Sequence, residues 1–187
     1  MASHRGTLIV IAGPSGVGKG SLVSELLAAD PALALSTSVT TRPPRAAERE
    51  GEDYFFVSTD RFERMVDAGE LLEWAAVFDH YYGTPAHAVE ALLAAGRDVI
   101  LEIDVQGARQ IRERVPGALM ILLAPPSIEE LTKRLRLRGT ESEDKIERRM
   151  ADAVRELAER DRFDRVVVND DLQQASSQVA AIIEASR

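Results

Sequence analysis

With 187 residues, 45% of them hydrophobic, the chain can bury one full core and is too short for two independent large domains. A net charge of −8 argues against a general affinity for nucleic acid, while leaving room for a local basic site that takes a small polyanion. The lack of any cysteine excludes disulfides, thiolate metal sites and cysteine nucleophiles. No apolar stretch approaches the roughly 18 residues of a membrane span, and Met1–Gly6 lacks a signal-peptide layout, so a soluble cytoplasmic protein is expected.

Leu8–Ala12 is apolar on both faces, as suits a central parallel strand covered by helices on either side. After Gly13–Ser21, residues Leu22, Val23, Leu26 and Leu27 repeat with helical spacing until Pro31, which disfavours helix in the residue before it. Leu35–Val39 reads as a short strand leading into the basic, proline-stiffened segment Thr40–Arg45. Tyr54–Val57 predicts a strand, and Asp60–Ala68 a short helix capped by Asp60 with Glu63 and closed by Gly69. Leu71–Phe78 predicts another strand. Thr84-Pro85 reads as a helix start, with Thr as cap and Pro in the first turn, and Gly96 as the stop.

Val99–Asp104 repeats the buried-strand pattern with acidic groups at its carboxyl end, and a helix follows from about Gln106 to Val115. Leu119–Leu123 is a third apolar strand. Ser127 and Glu130 form a capping box for a helix running toward Arg138, with Gly139 as its stop. Thr140–Glu143 opens a long charged helix to about Arg160, Val166–Val168 is a fourth strand, and Leu172–Ala185 a closing amphipathic helix. Strands alternating with helices predict an α/β, doubly wound parallel sheet with right-handed crossovers and ligands at the carboxyl ends of the strands.

The chemistry starts at Gly13-Pro14-Ser15-Gly16-Val17-Gly18-Lys19-Gly20-Ser21. A glycine-rich turn between strand and helix presents backbone N–H groups and a positive helix end to phosphate, with Lys19 reaching the β- and γ-phosphates of a nucleotide. Gly20 stands where a magnesium-binding hydroxyl is usual; either Ser21 takes part of that role or magnesium is held mainly by water and phosphate oxygens. Arg42 and Arg45 flank two prolines with Tyr54 just beyond, a set suited to a phosphomonoester. Glu102 and Asp104, two apart on one strand, are expected to share a face at the mouth of the loop; one orients a magnesium water or an arginine, the other meets the base. Arg134 and Arg138, four apart on a helix, and Arg149 on the next helix can close over a nucleotide together. His4, His80 and His87 form no metal-ligand spacing.

These blocks, together with Thr40-Thr41-Arg42-Pro43-Pro44-Arg45, Gly51-Glu52-Asp53-Tyr54-Phe55-Phe56, Tyr81-Tyr82-Gly83-Thr84, Glu102-Ile103-Asp104-Val105-Gln106-Gly107, Arg138-Gly139-Thr140-Glu141 and Val168-Asn169-Asp170-Asp171, resemble guanylate kinase from about residue 7 to 171. The resemblance implies a three-layer P-loop fold on a single domain, 1–187. Its core is 1–35, 85–135 and 161–187, with an inserted GMP-binding subdomain, 36–84, and a helical lid, 136–160. It implies transfer of the γ-phosphoryl group of ATP to GMP, and to dGMP, giving ADP and GDP with Mg2+, in purine nucleotide metabolism. It assigns Ser38, Glu73, Thr84 and Asp104 to the guanine base and Arg42, Arg45, Tyr54 and Tyr82 to the GMP phosphate, with Glu102 beside them. Asn169 and Asp170 border the adenine of ATP. The partners implied are small molecules, ATP and GMP, with no nucleic acid or membrane. A different reading is a non-catalytic module of the same fold that binds phosphorylated proteins, but such modules typically have a degraded phosphate loop, unlike this one.

Overall fold

The computed structural model describes residues 5–77, 79–137 and 142–187. Five strands form one wholly parallel sheet: β1 (Leu8–Ala12), β2 (Leu33–Leu35), β7 (Asp98–Ile103), β8 (Leu119–Ala124) and β9 (Arg165–Val168), in the order β2-β7-β1-β8-β9. The two-sided apolar pattern of β1 explains its central place. Ile9 and Ile11 pack with Leu22, Val179 and Ile183 of α1 (Lys19–Ala29) and α7 (Leu172–Glu184) on one face. Leu8 and Val10 pack with Leu93 and Ile111 of α3 (Ala86–Ala94) and α4 (Val105–Arg114) on the other.

A second, four-stranded sheet has the order β4-β3-β6-β5, from β3 (Ser38–Thr40), β4 (Tyr54–Phe56), β5 (Leu71–Val77) and β6 (His80–Pro85). β3 and β4 are parallel; the other pairs are antiparallel. Phe62 of α2 (Thr59–Asp67) fills its own small core with Val39 and Leu71. Then α5 (Ile128–Leu137) and α6 (Glu143–Leu157) border the loop that follows β1, with Leu135 close to Gly16 and Arg149 bonded to Ser15.

Four expectations need correcting. The strand expected at Leu35–Val39 is two strands in different sheets, with Ser36 N still bonded to Ile100 O as the chain leaves β7's side. The cap of α2 is Ser58, whose hydroxyl accepts from Arg61 N, rather than Asp60. Thr84 does not cap α3: it lies within β6, opposite Glu73, and its hydroxyl is taken by that carboxylate. Asp104 lies outside β7, because its carboxylate caps α4 by accepting from Gly107 N at 2.8 Å.

At the amino end of the sheet, Arg187 joins three elements, donating to Asp98 at 2.8 Å, Asp30 at 2.5 Å and Glu184 at 2.9 Å. Asp98 is 5% exposed and also accepts from Thr7 N. Arg187→Ala strands a buried carboxylate and is expected to cost about 2 kcal/mol, read as a lower urea midpoint with turnover at 25 °C unchanged. No helix among the described residues is long and apolar enough to cross a membrane.

Candidate active site

The loop Gly13–Gly18 leaves β1 and enters α1 at Lys19. Gly16 and Gly18 have φ of 88° and 103°, a region side chains rarely adopt, and a Cβ on Gly18 would lie 2.5 Å from Asn169 Nδ2. Because Gly18 is the N-cap and makes no side-chain capping bond, the first-turn amides remain available to an anion. Lys19 Nζ folds back over the loop, donating to Gly13 O at 2.5 Å and Pro14 O at 3.3 Å.

Groups expected around this loop do converge on it. Arg149 reaches across from α6 to donate to Ser15 Oγ at 2.6 Å. Asn169 donates through Nδ2 to Val17 O at 2.8 Å, pinning the loop from the end of β9. Arg134 donates to Asn169 O at 2.9 Å and is paired with Glu130 at 3.3 Å, so it braces the segment that carries Asn169 and Asp170. Arg138 lies outside the described residues. Glu102 faces the first turn of α1: a Cβ on Gly20 would sit 3.7 Å from both its carboxylate oxygens, beside Ser21. Burial raises the pKa of Glu102, and the Lys19 charge opposes the rise. Hard oxygen donors at this place fit magnesium, although among the described residues no group of three acidic or histidine side chains could hold a metal alone.

Two cavities meet at Asp104. A cleft of about 560 Å³ runs from Ser15 and Lys19 to Asp152 and Glu156 of α6. A pocket of about 220 Å³ lies between Ser38, Tyr54, Glu73, Tyr82 and Asp104. Glu73 is 3% exposed and accepts from the Thr84 hydroxyl at 2.6 Å. Burial pushes Glu73 up to about 7, with the Thr84 bond opposing and Asp104 adding to the shift. The Asp104 carboxyl is raised too, by burial against the pull of Gly107 N and Lys19. Tyr54 and Tyr82 meet edge to face at 6.0 Å, and burial raises the Tyr54 phenol.

Arg42 lies 5.5 Å from the Tyr54 ring centroid; its Nη2 donates to both Glu48 carboxylate oxygens at 2.7 and 2.9 Å, and its Nη1 to Pro43 O at 2.7 Å. Arg45 is exposed and 3.9 Å from the same carboxylate, which also accepts from Arg45 N. The Glu48 bond raises the pKa of Arg42, and Glu48 is correspondingly lowered. Sequence reasoning missed Glu48, whose signal was its place three residues beyond Arg45, at the start of the acid-rich run Glu48, Glu50, Glu52 and Asp53. Glu156 was missed as well. Burial lifts it to about 7 against the pull of Lys19, and its Oε2 is buried without a hydrogen-bond partner among the described residues.

A family model described as guanylate kinase matches residues 5–186. Two curated relatives named guanylate kinase come from Synechococcus sp. (strain CC9902) and Parasynechococcus marenigrum (strain WH8102). The first is 55% identical over 177 residues, 95% of this chain and 95% of its own length. The second is 57% identical over 170 residues, 91% of this chain and 93% of its own length. A crystal structure of guanylate kinase from Anaplasma phagocytophilum superposes with a TM-score of 0.81 at 32% identity, covering 99% of this chain and 88% of that one.

Proposed function

The chain belongs to the guanylate kinase family, and from that premise we propose how its residues divide the work of moving the γ-phosphoryl group of ATP to GMP. The protein is an ATP:GMP phosphotransferase, producing ADP and GDP. The observation that carries the division of labour is the junction at Asp104, where a cleft containing the phosphate loop meets a pocket lined by Asp104 and the buried Glu73.

On the donor side, the amides of Gly13–Ser21 and the Lys19 ammonium hold the β- and γ-phosphates, while Asn169 and Asp170 border the adenine. Ser21 and Glu102 would hold Mg2+, which keeps most of its waters in sites of this kind. Magnesium, when bound, neutralises charge that builds on the phosphate oxygens. Arg149, Arg134 and Arg138 belong to the lid, 136–160, or its border with the core, and supply positive charge to the transferring group. Phosphoryl transfer asks for positioning and electrostatics, with no covalent intermediate on the protein.

On the acceptor side, the second sheet and α2 form the GMP-binding subdomain. Ionised Glu73 accepts from guanine N1–H and N2–H₂. With the Thr84 hydroxyl already donating its hydrogen bond to Glu73, the hydroxyl that serves guanine O6 is Ser38, and Asp104 borders the base. Arg42, Arg45, Tyr54 and Tyr82 bind the GMP phosphate, with Glu48 holding Arg42 in place. The same set accepts dGMP, since none of these contacts uses the ribose 2′-hydroxyl. A cysteine-free chain that consumes ATP suits the cytoplasm, where we place the reaction.

Supplied with γ-labelled ATP, magnesium and GMP, the purified protein should pass label to GDP and leave AMP and UMP unlabelled. Label retained on ATP returns the chain to the non-catalytic module. Arg42→Ala is expected to raise KM for GMP about 10- to 100-fold, the loss of one or two charge-assisted hydrogen bonds, with KM for ATP little changed. Steady-state kinetics at varied GMP check this, and an unchanged KM removes Arg42 from the acceptor site.

A further inference from the structure

β5 is an outer strand of the four-stranded sheet, paired with β6 on one side only. Its register shifts between Leu71 and Glu73. An edge strand leaves main-chain groups in need of partners, and a register shift within it re-aims the side chain beside it. Helix α4 of the other sheet supplies those partners. Gln110 Oε1 accepts from Trp74 N at 3.2 Å, and its Nε2 donates to Trp74 O at 2.5 Å. One side-chain amide thus satisfies both main-chain groups of the residue directly after Glu73, as a neighbouring strand would.

One turn further along α4, Arg114 Nη1 donates to Leu71 O at 3.1 Å and Leu72 O at 2.8 Å, the carbonyls on the other side of Glu73. One turn earlier, Gly107 leaves space that Glu73 occupies, since a Cβ there would overlap its carboxylate. Gly107, Gln110 and Arg114 stand at i, i+3 and i+7, along one face of the helix. The same helix begins at Asp104, whose carboxylate borders the pocket. Both pocket carboxylates therefore take their positions from a single rigid element, Asp104 as its cap and Glu73 through the strand it holds.

We propose that Gln110 is a positioning residue for base selection: by fixing both main-chain groups of Trp74, it aims the Glu73 carboxylate at the N1–H and N2–H₂ edge of the purine. The proposal rests on the reading of Glu73 as the guanine acceptor. Gln110 itself touches no substrate; its amide is committed to Trp74. Losing that hold lets the carboxylate drift from a geometry that only guanine satisfies, so the penalty falls on the base with two donors more than on a base with one.

The test compares kcat/KM for GMP with that for IMP, whose base lacks the 2-amino group. In Gln110→Ala the GMP-to-IMP ratio should fall at least about tenfold, through KM for GMP, with KM for ATP within about twofold of wild type. Gln110→Glu keeps the bond to Trp74 N and loses the one to Trp74 O; it should show a smaller fall in the ratio. That near-isosteric variant decides alone where the alanine variant does not fold. An unchanged ratio in a folded variant, or a rise in KM for ATP in step with that for GMP, overturns the positioning role. Glu73→Gln serves as the control for the parent reading: if it leaves the ratio at its wild-type value, the assignment of Glu73 fails, whatever Gln110 does.

Discussion

Lys19→Ala is expected to lower kcat by at least about 10³-fold while leaving the Kd for GMP within about twofold of wild type. Lys19 opens α1 directly after the phosphate loop, so in the proposed division its ammonium serves the donor's transferring phosphate, and in the acceptor pocket its charge reaches Asp104 at the junction. Its charge is also felt by Glu102, Asp104 and Glu156. Removing it therefore leaves a cleft richer in carboxylates, which repels the triphosphate further. Added magnesium would not replace a donor fixed in direction, so raising its concentration should restore little of the rate. Single-turnover transfer gives the loss in kcat, and calorimetric titration with GMP gives the affinity. A drop in GMP affinity matching the drop in rate would contradict the separation of donor and acceptor groups.

The strand, loop and helix around Lys19 are legible in the sequence because every requirement there is local: an apolar run, glycines at two left-handed positions and a lysine at the helix start. The parallel sheet is legible for a similar reason, since strands buried on both faces read as unbroken apolar runs. The acceptor side is harder to read. Ser36 and Thr37 carry no mark showing that the chain changes sheets between β2 and β3. Thr84-Pro85 has the residues of a helix start, yet the Thr84 hydroxyl is claimed by a carboxylate eleven positions away in sequence. Asp60 and Ser58 both suit a cap for α2, and only the backbone decides between them. Gln110 and Glu156 owe their places to neighbours brought close by tertiary structure, which no spacing rule reports, whereas Glu48 meets Arg42 and Arg45 within one local loop. Glu102 and Asp104 illustrate the same limit: alternation along an extended strand puts them on one face, but capping of α4 takes Asp104 out of the strand.

Glu73 sets the second large effect, and it carries a pH signature. To accept from both guanine donors, the carboxylate has to be ionised, while burial pushes its pKa up to about 7. Guanine binding favours the ionised form, so below that pKa each GMP bound releases a proton. KM for GMP should then rise about tenfold per pH unit as pH falls below 7, and level off above it. Burial raises Glu156 to about 7 as well, but in the cleft beside Lys19, so it is expected to act on the donor phosphates instead. Glu156→Gln should therefore leave the acid limb of KM for GMP in place, whereas Glu73→Gln should remove it. Glu73→Gln should also raise KM for GMP on the order of 10²-fold, because an amide that accepts through one oxygen turns its NH₂ toward a donor edge of the base. AMP, with an acceptor at N1, should gain from the amide what GMP loses, so the preference for GMP over AMP falls by more than KM for GMP rises. Kinetics between pH 5.5 and 8.5 with both nucleotides separate the outcomes. A Glu73→Gln enzyme that keeps the wild-type pH limb and the wild-type preference would remove this carboxylate from base recognition and leave Asp104 as the group that reads guanine.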